Sequence, residues 1–250
     1  MLAGVDGLRR LGPVSPQAAG RRCRARFARG VAEVRSARAP GPRDGRPDAL
    51  DVLCAAAGNE APLDDAPVAD ELFALLLAGH ETTATALAWA VELLAHDPAA
   101  AAALADEAGE DDRPYLDAVI SEVLRFRPPL VDVVRELVEP VRLGEHALPT
   151  GTLVLIPPPL VHRHGHTDPD AFVADRFLVR RPDPRTWLPF GGGERRCLGA
   201  SLALLELRHI LACIVERFEL QPAHERPEHA RLHGTALVPE HGARVILRPR

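Results

Sequence analysis

The sequence of 250 residues is short of several things, and each shortage closes a class of function. It has no surplus of basic residues: 30 Lys and Arg stand against 35 Asp and Glu, a formal charge of −5, so no general affinity for nucleic acid is implied. Its four cysteines, Cys23, Cys54, Cys197 and Cys213, are far apart and form no C-x-x-C pair. That argues against a disulfide framework and a zinc ribbon, and fits a reducing cytoplasm. The first twenty residues lack a continuous apolar core followed by a cleavage site, so neither a signal peptide nor an N-terminal membrane anchor is expected. No internal repeat is visible. The most apolar stretch, Leu72 to Leu94, is interrupted by His80, Glu81 and Glu92, which makes it a poor membrane span and a good internal helix. What remains, 46% hydrophobic and 26% charged, is an ordinary globular composition with room for one or two domains.

Taken in order, residues 1–20 carry Gly, Pro and Ser without periodicity and read as an irregular lead-in. Arg21 to Arg38 reads as a basic helix, either simply solvated or facing an acidic partner, and the Pro/Gly run 39–45 breaks it. A short helix is expected over Asp48 to Gly58. A long one follows over 66–96, with Asp65 as a candidate N-cap and Asp97-Pro98 as its end. Such a helix is on the order of 40 Å long and crosses a whole domain, so its middle is expected to be buried. That middle is Ala78-Gly79-His80-Glu81-Thr82-Thr83, a poor choice for a helix centre. Thr82 is positioned to turn its hydroxyl back onto the carbonyl of residue 78 or 79, loosening a rung and opening a groove beside the Glu81 carboxylate. The other reading is a packing glycine with solvated neighbours.

Helices are expected next over Ala99 to Glu107 and over 114–126, the second stopped by Arg127-Pro128-Pro129. Within it Glu122 and Arg125, at i and i+3, share a face. From Val131 the texture turns to short strands, Val133-Val134, Leu137-Val138, Val141 to Leu143 and Thr152 to Ile156, separated by proline and glycine. His162, His164 and His166 alternate, so a strand would face all three one way for a metal, whereas the flanking Gly and Asp-Pro favour a surface loop. A helix is expected over 200–217, with Leu204, Leu207, His209, Ile210, Leu211, Ile214 and Val215 as a broad apolar face and Cys213 as a small buried residue. The tail, with Pro222, Pro227, Gly234 and Val238 to Leu247, is expected to form a terminal hairpin.

The most distinctive stretch is the loop 190–199, Phe190-Gly191-Gly192-Gly193-Glu194-Arg195-Arg196-Cys197-Leu198-Gly199. It sets one cysteine between a glycine-rich turn and a helix start, where the helix dipole and unpaired N–H groups favour the thiolate.

Four separated signals together resemble the cytochrome P450 family of haem-thiolate monooxygenases. Phe190, Gly193, Arg195, Cys197 and Gly199 match its F-x-x-G-x-R-x-C-x-G pattern, and the hexapeptide from Ala78 matches its A-G-x-E-T-T. Glu122 with Arg125 matches its E-x-x-R, and Phe172 to Phe177 resembles its F-x-P-x-R-F with Ala174 in place of proline. The resemblance implies a mainly α fold with a small β region over residues 21–250, lacking the family's N-terminal helices. It implies that Cys197 ligates the iron of haem b, that Phe190 packs beside it, and that Arg195 and Arg135 face the propionates. Gly79 and Thr82 would line an oxygen pocket, Glu81 and Thr82 would relay protons, and Glu122, Arg125 and Arg176 would form a buried charge cluster. It also implies O2 and a small organic substrate. Electrons would come from a ferredoxin- or flavodoxin-type donor with its reductase, since no flavin or nicotinamide fingerprint follows. A second reading is a truncated product without turnover that at most binds haem weakly; a third, a His/Cys zinc module.

Overall fold

A computed structural model describes residues 16–37, 46–56, 65–107 and 109–250. Helix α1 is Pro16–Ser36, α2 is Ala49–Ala56, α3 is Asp65–Ala95, α4 is Pro98–Asp106 and α5 is Pro114–Phe126. Strands β1 (Val133–Glu136), β2 (Val141–Leu143), β3 (His146–Leu148) and β4 (Leu153–Ile156) follow. Then come a short helix α6 (Pro158–Val161), a 3-10 turn at Gly193–Arg195, and α7 (Ala200–Arg217). Strands β5 (Phe218–Pro222), β6 (Ala230–His233), β7 (Ala236–Pro239) and β8 (Val245–Pro249) complete the chain.

The chain divides into two units within α3, residues 1–78 and 79–250. In the first, α1 turns Phe27, Ala28 and Val31 onto Leu50 of α2 and onto Val68, Ala69 and Leu72 of α3. Phe27 and Phe73 meet with ring centroids 5.4 Å apart, and Arg24 pairs with Asp70. In the second, the last three turns of α3 pack Ala86, Trp89, Ala90, Leu93 and Leu94 against Leu104 of α4. Leu116, Val119, Ile120 and Val123 of α5 and Leu207, Leu211 and Val215 of α7 join the same core. The indole N–H of Trp89 donates to the Leu237 carbonyl at 2.7 Å, tying β7 to this core.

All strand pairs are antiparallel and nest as hairpin within hairpin: β2–β3 lies between β1 and β4, and β6–β7 between β5 and β8. Val133 faces Ile156 and Glu136 faces Leu153 in one outer pair; Phe218 faces Pro249 and Pro222 faces Val245 in the other. The hairpin expected in the tail is present: β6 turns back into β7 at Gly234, whose φ is +59°, and β8 adds a pairing with β5 directly after α7.

Other expectations also change. Residues 16–20 of the expected lead-in are helical, because Pro16 opens α1, while residues 1–15 lie outside the described residues, as do the breaks at 39–45 and 58–59 and the side chain of Asp65. Leu137-Val138 belongs to a turn closed by the Gly151 N–H on the Leu137 carbonyl. The middle of α3 is not buried: residues 74–81 are all exposed, with Leu75, Leu76 and Leu77 at 42, 57 and 58%. Each unit packs its own end of the 31-residue helix, and the stretch between has no apolar partner. Nor is the helix interrupted at Gly79 or Thr82; it is continuous across the hexapeptide. Cys213 is exposed, since the buried stripe of α7 is only Leu207, Leu211 and Val215 with Ala212.

The two helices at the Asp97-Pro98 break share one punctuation mark. Asp97 ends α3 and caps α4, its carboxylate accepting the Ala100 N–H at 3.0 Å, with Pro98 at the first helical position. Asp97→Ala is expected to lower stability by about 1 kcal/mol in urea denaturation and Asp97→Asn by much less, since asparagine caps nearly as well.

Candidate functional site

The site is built outward from a buried carboxylate. Glu122, on the core face of α5, has no solvent exposure and Arg125 has 2%. Arg125 donates from Nε to Oε2 at 2.7 Å and from Nη2 to Oε1 at 2.8 Å, a bidentate pair. Arg176 reaches the same carboxylate with Nε, 3.1 Å from each oxygen, and the Val173 N–H donates to Oε1 at 2.9 Å. Two cations then share one anion, and the remaining guanidinium N–H groups need acceptors. They find backbone carbonyls: Arg125 on Pro169 and Ala171, and Arg176 on Thr167 and Asp168. The segment 167–176 contains no helix or strand, so this cluster is what shapes it.

His162 carries the same frame to the cysteine loop. It is fully buried, its Nδ1–H donates to the Arg125 carbonyl at 3.1 Å, and its Nε2 accepts the Leu188 N–H at 2.7 Å. Burial and the neighbouring Arg125 charge push this imidazole down to about 4, burial being the larger cause, so the ring is neutral with the proton on Nδ1. Of the two readings of His162, His164 and His166, the strand is overturned and the loop holds, with His164 exposed, except that His162 is buried. These residues lie in a helix end and turns rather than a strand, His162 is buried rather than in a surface loop, and no group of three metal-ligating side chains exists among the described residues. Sequence reasoning missed His162 because alternating histidines look alike until a partner on another element selects one. Its one available signal was the position directly after the apolar run Leu160-Val161.

From Leu188 the chain runs into the loop. Trp187 donates its indole N–H to the Ser121 carbonyl of α5 at 3.0 Å and packs edge-on against Phe190, with centroids 6.1 Å apart. Gly191 and Gly193 adopt φ of +66° and +68°, a region an L side chain enters only with strain. Those turns bring the Cys197 N–H back to the Phe190 carbonyl at 2.9 Å, closing the loop. Cys197 is exposed, and α7 begins three residues later with Gly199 at its N-cap and no side-chain cap. The first N–H groups of α7 are thus left facing the thiol end of the loop. Arg195 and Arg196 flank it, exposed. Among the described residues no group of three metal-ligating side chains includes Cys197, so a cofactor that brings its own remaining ligands and takes one from the protein would fit this donor set. Arg135 is half-buried in β1 and donates to the Val134 carbonyl at 2.9 Å.

Of the α3 residues, Gly79 and Glu81 are exposed and Thr82 is half-buried. At 3.6 residues per turn, Glu81 lies about 100° round the helix from Thr82 and about 200° from Gly79. Its carboxylate is drawn to the other side, where His233 at the tip of β6 sits 3.2 Å away. This pair stands at one end of a groove of about 850 Å³ that Thr85, His224, His241 and Arg244 also line.

A loop that presents one exposed thiol just before a helix start, joined to a buried charge cluster through His162, is the arrangement the comparisons with known proteins bear on. The chain belongs to the cytochrome P450 family, whose model "Cytochrome P450" matches residues 21–247. It is 40% identical over 229 residues to a Mycobacterium tuberculosis protein carrying the name cytochrome P450 135B1, covering 87% of this chain and 48% of that one. It is 37% identical over 246 residues to another named cytochrome P450 137, covering 97% and 52%. Among solved structures, retinoic acid bound cyanobacterial CYP120A1 matches with a TM-score of 0.85 at 26% identity over 95% of this chain and 59% of that one. CYP102L1 matches with 0.81 at 28% over 97% and 57%. The chain spans about half the length of the curated relatives it matches. Among the described residues no helix is long and apolar enough to cross a membrane.

Two expectations test this frame. Glu122→Gln strips the buried arginines of their counter-charge and is expected to cost about 3–5 kcal/mol in denaturant titration. For His162, folding lowers the ring's affinity for a proton, so the unfolded chain binds more protons between about pH 4 and 6.5. Stability therefore rises with pH across that window, by about 3 kcal/mol in all. The slope is expected to disappear in His162→Gln, as urea midpoints at several pH values would read.

Proposed function

We propose that this chain provides the haem-binding part of a soluble bacterial haem-thiolate monooxygenase. It would use O2 to oxidise a small organic substrate, with electrons from a ferredoxin- or flavodoxin-type donor and its reductase. The observation that supports this most directly is the single exposed thiol of Cys197 at the uncapped start of α7, in a loop held by Gly191 and Gly193. Four unpaired cysteines are compatible with a reducing cytoplasm.

When bound, the haem supplies oxygen activation, with thiolate donation favouring O–O cleavage. The residues of the chain hold and tune it. Cys197 gives the ligand sulfur, and the first N–H groups of α7 stabilise its negative charge. Phe190, with Trp187 packed edge-on against it, would lie beside that sulfur. Arg195, with Arg135 from β1, supplies positive charge for the two carboxylates. Gly193 and Gly199 keep the backbone free of side chains where the macrocycle must come close.

On α3, Gly79 would leave room on the helix surface and the Thr82 hydroxyl would hold a proton at its Oγ1 beside the group. Glu81, open to the solvent of the groove, would exchange protons with water there; since its carboxylate is held toward His233, it would have to leave that partner to hand one to the Thr82 Oγ1. Glu122, Arg125 and Arg176 have no part in the chemistry; they fix the segment that leads to the loop.

The competing reading, a haem binder without turnover, is favoured by one observation: residues 74–81 of α3 are bare. Both readings are separated by one series. The purified chain reconstituted with haem, reduced and exposed to carbon monoxide is expected to show a strongly red-shifted Soret band that Cys197→Ala abolishes. Failure of the wild-type chain to keep haem sinks the monooxygenase reading and favours the truncated product without turnover. Retention of haem with no turnover under any electron donor leaves the binder. Where turnover occurs, Thr82→Ala is expected to raise electron consumption per product formed; unchanged coupling would remove Thr82 from the relay.

A further inference from the structure

The groove of about 850 Å³ beside α3 has the size of a small-molecule site and shares no residue with the cysteine loop or its charge frame. One wall is α3 itself. At about 100° per residue, Glu81, Ala84, Thr85 and Ala88 fall within an arc of about 100°, and Gly79 lies on the opposite side of the helix. The groove therefore runs along the face of α3 turned away from Gly79. The other wall is the hairpin β6–β7, with Val238 and Pro239, together with His224 and the loop 240–244.

That second wall is fixed from within the fold. Glu92, 2% exposed, accepts the Glu228 N–H at 2.8 Å, and Glu228, also buried, accepts the N–H groups of His241 at 2.6 Å and Arg244 at 3.2 Å. The Ala223 N–H adds a bond to the Arg244 carbonyl at 3.3 Å, and the Glu240 N–H one to the His229 carbonyl at 3.0 Å. Ala243 is held at φ +55°, a left-handed conformation that strains a residue with a side chain. Two buried carboxylates and a strained residue are more than a loop needs in order to turn. What they fix in place is Arg244, together with the His224–His241 ring pair, whose centroids are 6.3 Å apart.

The formal charges on these walls do not cancel. Arg244 and, from β6, Arg231 carry guanidinium groups that meet no acceptor among the described residues. Of the two carboxylates that line the groove, Glu81 is drawn to His233 at 3.2 Å. Glu240 alone is then left against two arginines, a surplus of one positive charge. The uncharged lining includes Ala84, Ala88, Val238 and Pro239. We propose that the groove binds an organic monocarboxylate, held by Arg231 and Arg244 at its carboxylate and laid along α3 with its apolar body. A guanidinium meets a carboxylate with two parallel N–H groups, and a wall already fixed by Glu92 and Glu228 loses little freedom when the ligand arrives. The single surplus charge suits a monoanion better than a phosphate dianion.

This site stands apart from the haem reading, and its test needs no haem. Octanoate, 1-octanol and octyltrimethylammonium would be titrated into the 250-residue chain below their micellar range, with backbone 1H–15N spectra as the readout. Octanoate is expected to shift the amides of 81–88 and 231–244 saturably, and to bind roughly tenfold or more tightly than the other two. Arg231→Gln and Arg244→Gln are each expected to weaken octanoate about tenfold, the low end for a hydrogen bond to a charged group, and to leave 1-octanol unchanged. Equal affinity for octanoate and 1-octanol overturns the proposal, as does octanoate binding that either variant leaves intact. Should a variant fail to fold, the wild-type spectra decide. Octanoate shifts centred on the groove that inorganic phosphate does not reproduce support the site; shifts elsewhere, no saturable shift, or equal shifts with phosphate overturn it.

Discussion

The structure of the 79–250 unit depends on a carboxylate that cannot be left alone. Glu122 sits in the apolar core between α5 and the segment 167–176, where removing a charge from water costs several kcal/mol. Two guanidinium groups and one backbone N–H offset that cost, and the surplus positive charge is spread over four backbone carbonyls. The direction of dependence follows. Residues 167–176 have no ladder or helix of their own to fix them, so their path is the one that brings carbonyls to two arginines. The Arg125 carbonyl in turn orients His162, and His162 receives Leu188, two residues before the loop that ends at Cys197.

Position at Cys197 is therefore inherited from a core charge several links away, while chemistry at Cys197 is local. The glycines with positive φ, the closure on the Phe190 carbonyl and the uncapped start of α7 all lie within ten residues. This separation explains why E-x-x-R says little as a pattern and much as a structure. On a solvated helix the same two residues would contribute a few tenths of a kcal/mol. Buried, they organise a segment that nothing else holds.

Legibility in the sequence divides along the same line. Boundaries set by local chemistry were readable: Pro114 and the Pro128-Pro129 stop delimit α5, Asp97-Pro98 separates α3 from α4, and the alanine- and leucine-rich run after Gly199 is α7. So was the family, because its motifs are short and ordered. What depends on a partner from another element was not. The width of the buried stripe on α7 is set by α4 and α5, so Cys213 fell outside it. The hairpin β6–β7 was legible from its glycine turn, but the pairing of β8 with β5 was not, because the two strands lie on opposite sides of that hairpin in sequence. The bare middle of α3 follows from where the two cores end, which periodicity within the helix does not encode.

The histidines carry this furthest. His96 and His162 each lie just past the end of a helix with acceptors and donors of the backbone around them, and nothing in their sequence neighbourhoods distinguishes them. Their tertiary neighbours do. An N–H opposite Nε2 makes His162 a neutral strut, whereas His96 meets a carbonyl there. One backbone atom, donor in one case and acceptor in the other, separates the two rings, and no spacing in the sequence encodes it. The frame of the cysteine loop, with its neutral histidine and its saturated carboxylate, is thereby insulated from the proton concentration near neutrality.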